Sequence, residues 1–305
     1  MRILRMLAVH NEADVLQRNL DWYARAGFDT VAIDNESSDA SSKICARAVK
    51  SGAIVSLRRL ETGGFDRTRI LTELLELARA QDPDYVFLAA ADEFFEVADG
   101  SDLRRAMEED FAAGATVLEF HNMEFAITRA DVADEPDPLV RMRHYSHRST
   151  GMYRAYRCVE GLDIAAKLGH RPVFPPDVEA VVSPRLYVSR HYPLRTPKQA
   201  LAKIKRVAYD PERDAGHQYL HLSGRRGELY AQRKDLARYD EDHVWDFRAH
   251  TQPRRARQTL HALRQARRDL TELQAAHRDL QSRHAELERR LERGQPGAQP
   301  QDTES

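Results

Sequence analysis

The sequence predicts an α/β protein: a mainly parallel sheet flanked by helices, followed by a separate helical segment at the C-terminal end. Two observations carry this. Short apolar runs alternate with helical periods four times between Arg2 and Leu88. The last quarter of the chain then changes to a narrow, heptad-spaced apolar stripe among charged residues.

Residues 2–9 form the first apolar run and read as a buried strand, although Arg5 interrupts it. From Glu12 to Ala26 a helical period runs through Val15, Leu16, Leu20, Tyr23 and Ala24, and Gly27 stands where a helix-terminating glycine belongs. Trp22 and Tyr23 on this helix read as core. Thr30 to Ile33 is a second strand, Ser37 to Asp39 a turn, residues 40–51 a second helix and Ala53 to Leu57 a third strand. Leu71 to Ala80 is helical until Asp82-Pro83-Asp84 breaks it, and Tyr85 to Leu88 is a fourth strand running into Asp92. Further on, Leu103 to Ala113 reads as a helix, Thr116 to Phe120 as a strand and residues 128–150 as a charged, proline-containing loop. Tyr187 to Arg190 is a short strand, and Pro197 to Tyr209 a helix with proline in its first turn.

In residues 254–293 one heptad position takes Leu263, Leu270, His277, His284 and Leu291, the other Ala266, Leu273, Leu280 and Leu287. That spacing predicts a short coiled coil, and residues 260–291 are the expected surface of a homo-oligomer. The expected division is a catalytic domain over 1–248 (halves 1–125 and 126–248), a helical coiled coil over 249–293 and a disordered tail over 294–305 rich in Gln, Pro and Gly.

The totals bound the function. The formal net charge of −1 provides no global field for nucleic acid. Cys45 and Cys158 are the only cysteines, with no CxxC, so a disulfide framework is not expected. No apolar run reaches the roughly 18–20 residues of a membrane span, and the expected location is the cytoplasm, with peripheral membrane contact. No GxGxxG follows the first strand, which argues against a dinucleotide oxidoreductase.

Three polar clusters fall just past strand ends, where open α/β sheets bind ligands: Asn11-Glu12, Asp34-Asn35-Glu36-Ser37-Ser38-Asp39 and Asp92-Glu93 within Ala90-Ala91-Asp92-Glu93-Phe94. A strand-end carboxylate facing a cleft can hold a divalent cation that leaves positions open for substrate phosphates. The order of these clusters resembles the family 2 glycosyltransferases of GT-A fold, in a bacterial branch near the family 92-like enzymes. The resemblance continues through His121-Asn122-Met123-Glu124-Phe125 with Thr128, Gly169-His170, and Arg190-His191-Tyr192-Pro193-Leu194-Arg195-Thr196 followed by Lys203, and covers roughly residues 1–220.

The resemblance implies a metal-dependent hexosyltransferase that moves a sugar from a nucleotide-sugar donor, UDP-linked by expectation, to a glycan or lipid-linked acceptor with inversion. It places Asn11, Glu12, Asp34 and Asn35 at the nucleoside, with Asp34 accepting from the base. It puts Asp92 and His191 on Mn2+ or Mg2+, and Arg195 and Lys203 near the diphosphate. Ala90 departs from the family pattern, which has an acid there; a catalytically degenerate relative acting as a coiled-coil adaptor is the alternative function. An inverting transfer needs a carboxylate base. Glu124 is the first choice, with Glu160 and Asp163 as alternatives. His170 reads equally as an acceptor-orienting or a structural residue, His10 as turn chemistry, and the Gly63-Gly64 loop as a flexible flap near the donor.

Overall fold

The computed structural model describes residues 1–64, 66–131, 135–147, 151–167, 169–206, 229–240 and 245. The chain divides into two units, Met1–Thr251 and Gln252–Ser305. All described residues belong to the first, so the expected coiled coil and tail lie outside them.

The first strand, β1 (Ile3–Val9), is buried on both faces, which is why it reads as a continuous apolar run. Its even residues Leu4 and Met6 pack with Leu71, Leu74 and Ala78. Its odd residues Leu7 and Val9 pack with Leu16, Leu20, Ile44 and Cys45. These partners come from α1 (Leu16–Arg25) and α2 (Ser41–Lys50) on one face and α3 (Arg67–Arg79) on the other. Arg5 is the exception in β1. Its guanidinium lies 4.0 Å from the centroid of the Tyr23 ring and donates to Asn19 and to the Ala89 carbonyl. Burial lowers its pKa to about 10.

The parallel strands β2 (Asp29–Asp34), β3 (Ile54–Arg59) and β4 (Tyr85–Leu88) join β1 in the spatial order β3-β2-β1-β4. The chain leaves β1 toward β2 and β3, then returns to its other side as β4. The crevice at the carboxyl ends of β1 and β4 is therefore a topological switch point.

Beyond β4 the sheet becomes antiparallel. β5 (Glu93–Val97) is followed by α4 (Leu103–Ala112), β6 (Val117–Phe125), α5 (Pro138–Arg141), β7 (His144–His147), β8 (Met152–Arg157), β9 (Tyr187–His191), α6 (Pro197–Arg206) and β10 (Ala237–Arg238). β8 pairs with β4 and carries β6 on its far side, with β7 and β10 beyond. The long β6 is paired on both edges: Phe120 faces Met152 of β8 and Tyr187 of β9. β9 in turn carries β5, with Glu93 opposite His191.

Several expectations need correction. Residues 128–150 contain α5 and β7 rather than only a loop. Pro138 supplies the first position of α5 and Asp137 caps it, so the proline starts an element there. The run Glu93–Val97 is a strand that the expected list omits. The strand expected over Thr116–Phe120 continues to Phe125. The first helix begins at Leu16, because Glu12 to Val15 form a turn in which the Glu12 carbonyl accepts from Val15 and Leu16. Among the described residues no helix is long and apolar enough to cross a membrane.

Candidate active site

The carboxyl ends of β1, β2 and β4 each deliver one polar turn. After β1, Asn11 takes a left-handed backbone (φ 54°), a conformation asparagine tolerates better than most residues. Its side-chain carbonyl accepts from the backbone of Ser38 (2.7 Å) and Asp39 (3.1 Å), tying the β1 turn to the β2 turn. After β2, the Asp34 carboxylate accepts from the Ser37 backbone (3.1 Å) and the Ser42 hydroxyl. Asn35 donates to the Leu60 carbonyl (3.1 Å) and to the Thr62 hydroxyl (2.8 Å). Glu36, also left-handed at φ 55°, accepts from the Thr62 backbone N–H at 3.2 Å. That bond, with further backbone donors of the loop, lowers the Glu36 pKa. Positive φ at a non-glycine residue costs on the order of 1–3 kcal/mol and concentrates at functional sites.

The turn after β4 is pinned from below. Asn19 donates to the carbonyls of Ala90 (3.2 Å) and Glu93 (2.9 Å), and Arg5 to that of Ala89 (3.1 Å). Glu93 accepts from the Ala90 backbone (3.0 Å) and from Arg154 (2.6 Å). Glu93 and Arg154 are both buried, so the second acid of the Asp92-Glu93 pair is an internal strut. Asp92, in contrast, turns toward residues that arrive from the second half.

There the cations converge. Lys203 of α6 places Nζ 2.8 Å from Asp92 Oδ2 and 3.4 Å from Glu12 Oε1. Arg195 forks onto Asp14 with two 2.8 Å bonds, bonds Glu12, and lies 3.7 Å from Asp92 Oδ2. Its remaining nitrogen donates to the Tyr192 carbonyl at 2.9 Å, and its side chain is fully buried. His191 Nε2 stands 3.8 Å from the same Asp92 oxygen. Burial alone would raise the Asp92 pKa, but Lys203, His191 and Arg195 hold it well below the ordinary carboxylate range. For Lys203 burial pulls downward, and Asp92 and Glu12 overcome it and raise the pKa. Arg195 behaves likewise, with Glu12 and Asp14 the main opposing charges.

The structure thus brings together Asn11, Glu12, Asp34, Asn35, Asp92, His191, Arg195 and Lys203. Arg195 is fully buried and ties Glu12 and Asp14 together. Each Asp34 oxygen accepts one bond within its own turn and keeps a lone pair. Glu124 enters through register: it lies opposite His191 on β9, which lies opposite Glu93 on β5, so the three share one face of the sheet. Glu160 is elsewhere. It follows Cys158, whose N–H donates to the Asp84 carbonyl at the start of β4, the opposite end from Asp92. Asp163 caps its own loop, accepting from Ala165 (2.7 Å) and Ala166 (3.0 Å). His10 accordingly serves the turn, meeting the Asn35 carbonyl.

Four residues of the candidate site received no role from the sequence: Asp14, Asn19, Asn122 and Arg154. Asn122 is buried, with its amide nitrogen 3.5 Å from His191 Nδ1. It falls within the family-like segment His121–Phe125, but its place beside His191 is visible only once the strand is known to continue past Phe120.

A divalent ion fits this donor set in one respect: Asp92 Oδ2 is already a cation site, held by an ammonium group. An oxygen with an imidazole nitrogen suits manganese. Among the described residues no trio of His, Cys, Asp or Glu surrounds one point. An ion here would take its remaining coordination from ligand and water.

Comparison with family models finds no match, and none of the curated proteins matches. Solved structures with remote likeness include S. aureus TarS 1-349 in complex with UDP, at 14% identity and TM-score 0.37, with 77% of each chain covered. Another is the mannosyltransferase PcManGT from Pyrobaculum calidifontis in complex with GDP-Man and Mn2+, at 17% identity and TM-score 0.36, covering 67% of this chain and 61% of that one. A third is HddC from Yersinia pseudotuberculosis complexed with GMP-PN, at 10% identity and TM-score 0.33, covering 63% of this chain and 92% of that one.

Proposed function

We propose that this protein is a glycosyltransferase that takes a nucleotide-sugar donor in the crevice at the ends of β1, β2 and β4 and transfers the sugar, with inversion, to a hydroxyl of a glycan or lipid-linked acceptor. The observation that carries the reading is the convergence on Asp92 of His191, Arg195 and Lys203 from the second half of the sheet, the last two also holding Glu12 of the first half, at a switch point.

In this reading Asn11, Asp34 and Asn35 line the nucleoside end, with Asp34 offering its remaining lone pairs to the base. Arg195 fixes Glu12 and Asp14 and so sets the shape of the diphosphate end. A divalent ion, Mn2+ or Mg2+, bound at Asp92 and His191 would neutralise charge growing on the leaving diphosphate. Glu124 accepts the proton of the acceptor hydroxyl as its oxygen bonds to the anomeric carbon. The bond from that carbon to the diphosphate oxygen breaks, and the electron pair leaves with the nucleoside diphosphate. UDP-linked sugars are the first donors to test.

The test is an activity screen of nucleotide sugars against donor hydrolysis and transfer, run with Glu124→Gln. The expected outcome is a transfer rate lowered about 10²–10⁴-fold, as for loss of a general base, with nucleotide affinity unchanged. Full transfer by the variant would remove Glu124 from this role.

A further inference from the structure

Among the described residues, the two permanent cations beside Asp92, Arg195 and Lys203, are both engaged by carboxylates. Glu12, Asp14 and Asp92 contribute three carboxylates, Arg195 and Lys203 two cations, and every cation is already on a carboxylate. The three carboxylates outnumber Arg195 and Lys203 by one, a charge that His191 would balance when protonated. The two cations also differ in freedom. Arg195 is locked by its fork onto Asp14 and its bond to the Tyr192 carbonyl, with no exposed side-chain surface. Lys203 is 18% exposed, makes point contacts through one nitrogen and sits on a flexible four-carbon stem. Its ammonium occupies the Asp92 oxygen that lies nearest the His191 imidazole.

We propose that the Lys203 ammonium is a resident stand-in for a divalent cation on Asp92, displaced when the ion binds and thereby released toward the incoming diphosphate. The release step rests on the nucleotide-sugar reading above; the stand-in itself does not. Without an ion, the ammonium keeps the buried Asp92 charge compensated and the site closed by an internal ion pair. With an ion on Asp92, like charge repels the ammonium from that oxygen, and it can move to the diphosphate from its remaining partner, Glu12. Ion and nucleotide would therefore strengthen each other's binding, because each removes the obstacle to the other.

The experiment is a titration of the full-length protein with Mn2+, free ion being followed by electron paramagnetic resonance, with and without UDP. The proteins are wild type, Lys203→Gln, Lys203→Arg and Asp92→Asn, each checked for folding by circular dichroism. Without nucleotide, Lys203→Gln is expected to bind Mn2+ about tenfold more tightly than wild type, and Lys203→Arg like wild type. Asp92→Asn should lose that binding. UDP should tighten Mn2+ binding in wild type by about tenfold and by clearly less in Lys203→Gln. Nucleotide-free affinity that is unchanged or weaker in Lys203→Gln overturns the proposal, as does a failure of all four proteins to bind Mn2+. Should Lys203→Gln tighten Mn2+ binding while UDP and GDP bind to none of the proteins, the stand-in holds and the nucleotide-sugar reading falls.

Discussion

The two halves of the sheet meet at Asp92 and supply it in different ways. The parallel half, β3-β2-β1-β4, offers turns whose polar residues bond one another across short sequence distances, as Asp34 does with Ser37 and Ser42. The antiparallel half offers single side chains from far along the sequence: Arg195 reaches Glu12 from 183 residues away, and Lys203 reaches Asp92 from 111. The first half builds a crevice; the second charges it. A crevice of this kind is a property of topology, shared by many α/β proteins, so the chemistry depends on what the second half brings.

The largest expected effect lies in the antiparallel half, in the buried ion pair next to Asp92. Glu93 on β5 and Arg154 on β8 form an ion pair with side-chain exposures of only 3% and 6%. Glu93→Ala leaves Arg154 buried, its further partner among the described residues being the Gly169 carbonyl at 3.4 Å. The expected loss is about 3–5 kcal/mol, the range for removing one partner of a buried pair. Denaturant unfolding should show it as a lowered midpoint with an unchanged slope. A loss below roughly 1 kcal/mol would mean that this buried pair contributes no more than a surface pair.

A smaller effect is expected at the seam between α3, β4 and the segment after β8. Gly169 has φ +75°, and a Cβ there would stand 2.9 Å from Leu88 Cδ2 and 3.3 Å from Leu71 Cδ1. Gly169→Ala should cost roughly 1–2 kcal/mol, from a left-handed backbone and a crowded side chain together. Thermal unfolding measures it, and an unchanged midpoint would show that Leu88 yields freely.

The smallest expected effect distinguishes the halves by pH. On β7, burial lowers the His144 pKa below 6.5; Asp131 opposes the shift, while Arg233 and Arg238 add to it. A folded pKa below the unfolded value gives stability that is complete above the unfolded pKa and is lost as pH falls through the folded one. The denaturation midpoint should therefore drift downward below pH 6.5 in wild type and drift less in His144→Gln. Equal drifts in the two proteins would take His144 out of the pH response.

The same division explains what was legible in the sequence. The parallel strands β1, β2 and β4 are largely buried and read as apolar runs, and the edge strand β3 still carries Ile54, Val55 and Leu57, so all four could be placed, and with them the turns carrying Asn11, Asp34 and Asp92. Antiparallel strands with mixed faces read less clearly. β5 is hidden because Glu93 and Glu96 interrupt an apolar run, and β7 because His144, Ser146 and His147 look like loop residues. The residues expected from the family resemblance (His191, Arg195 and Lys203) do reach the site. What no local pattern revealed is their division of labour: Arg195 as a buried pin, Lys203 on the cation position, Glu93 as a strut. Those roles depend on contacts across the fold. The coiled coil expected from Leu263 to Leu291 lies outside the described residues.

The account turns on Asp92 as the point where donor and ion are held together. Calorimetric titration of UDP into wild type and Asp92→Ala, each with and without Mn2+, tests it most directly. The account predicts binding by wild type that strengthens at least about tenfold with Mn2+, and loss of that strengthening in Asp92→Ala. Equal UDP affinity in all four titrations, or no binding by a folded wild-type protein to UDP or GDP with Mn2+ present, would contradict it.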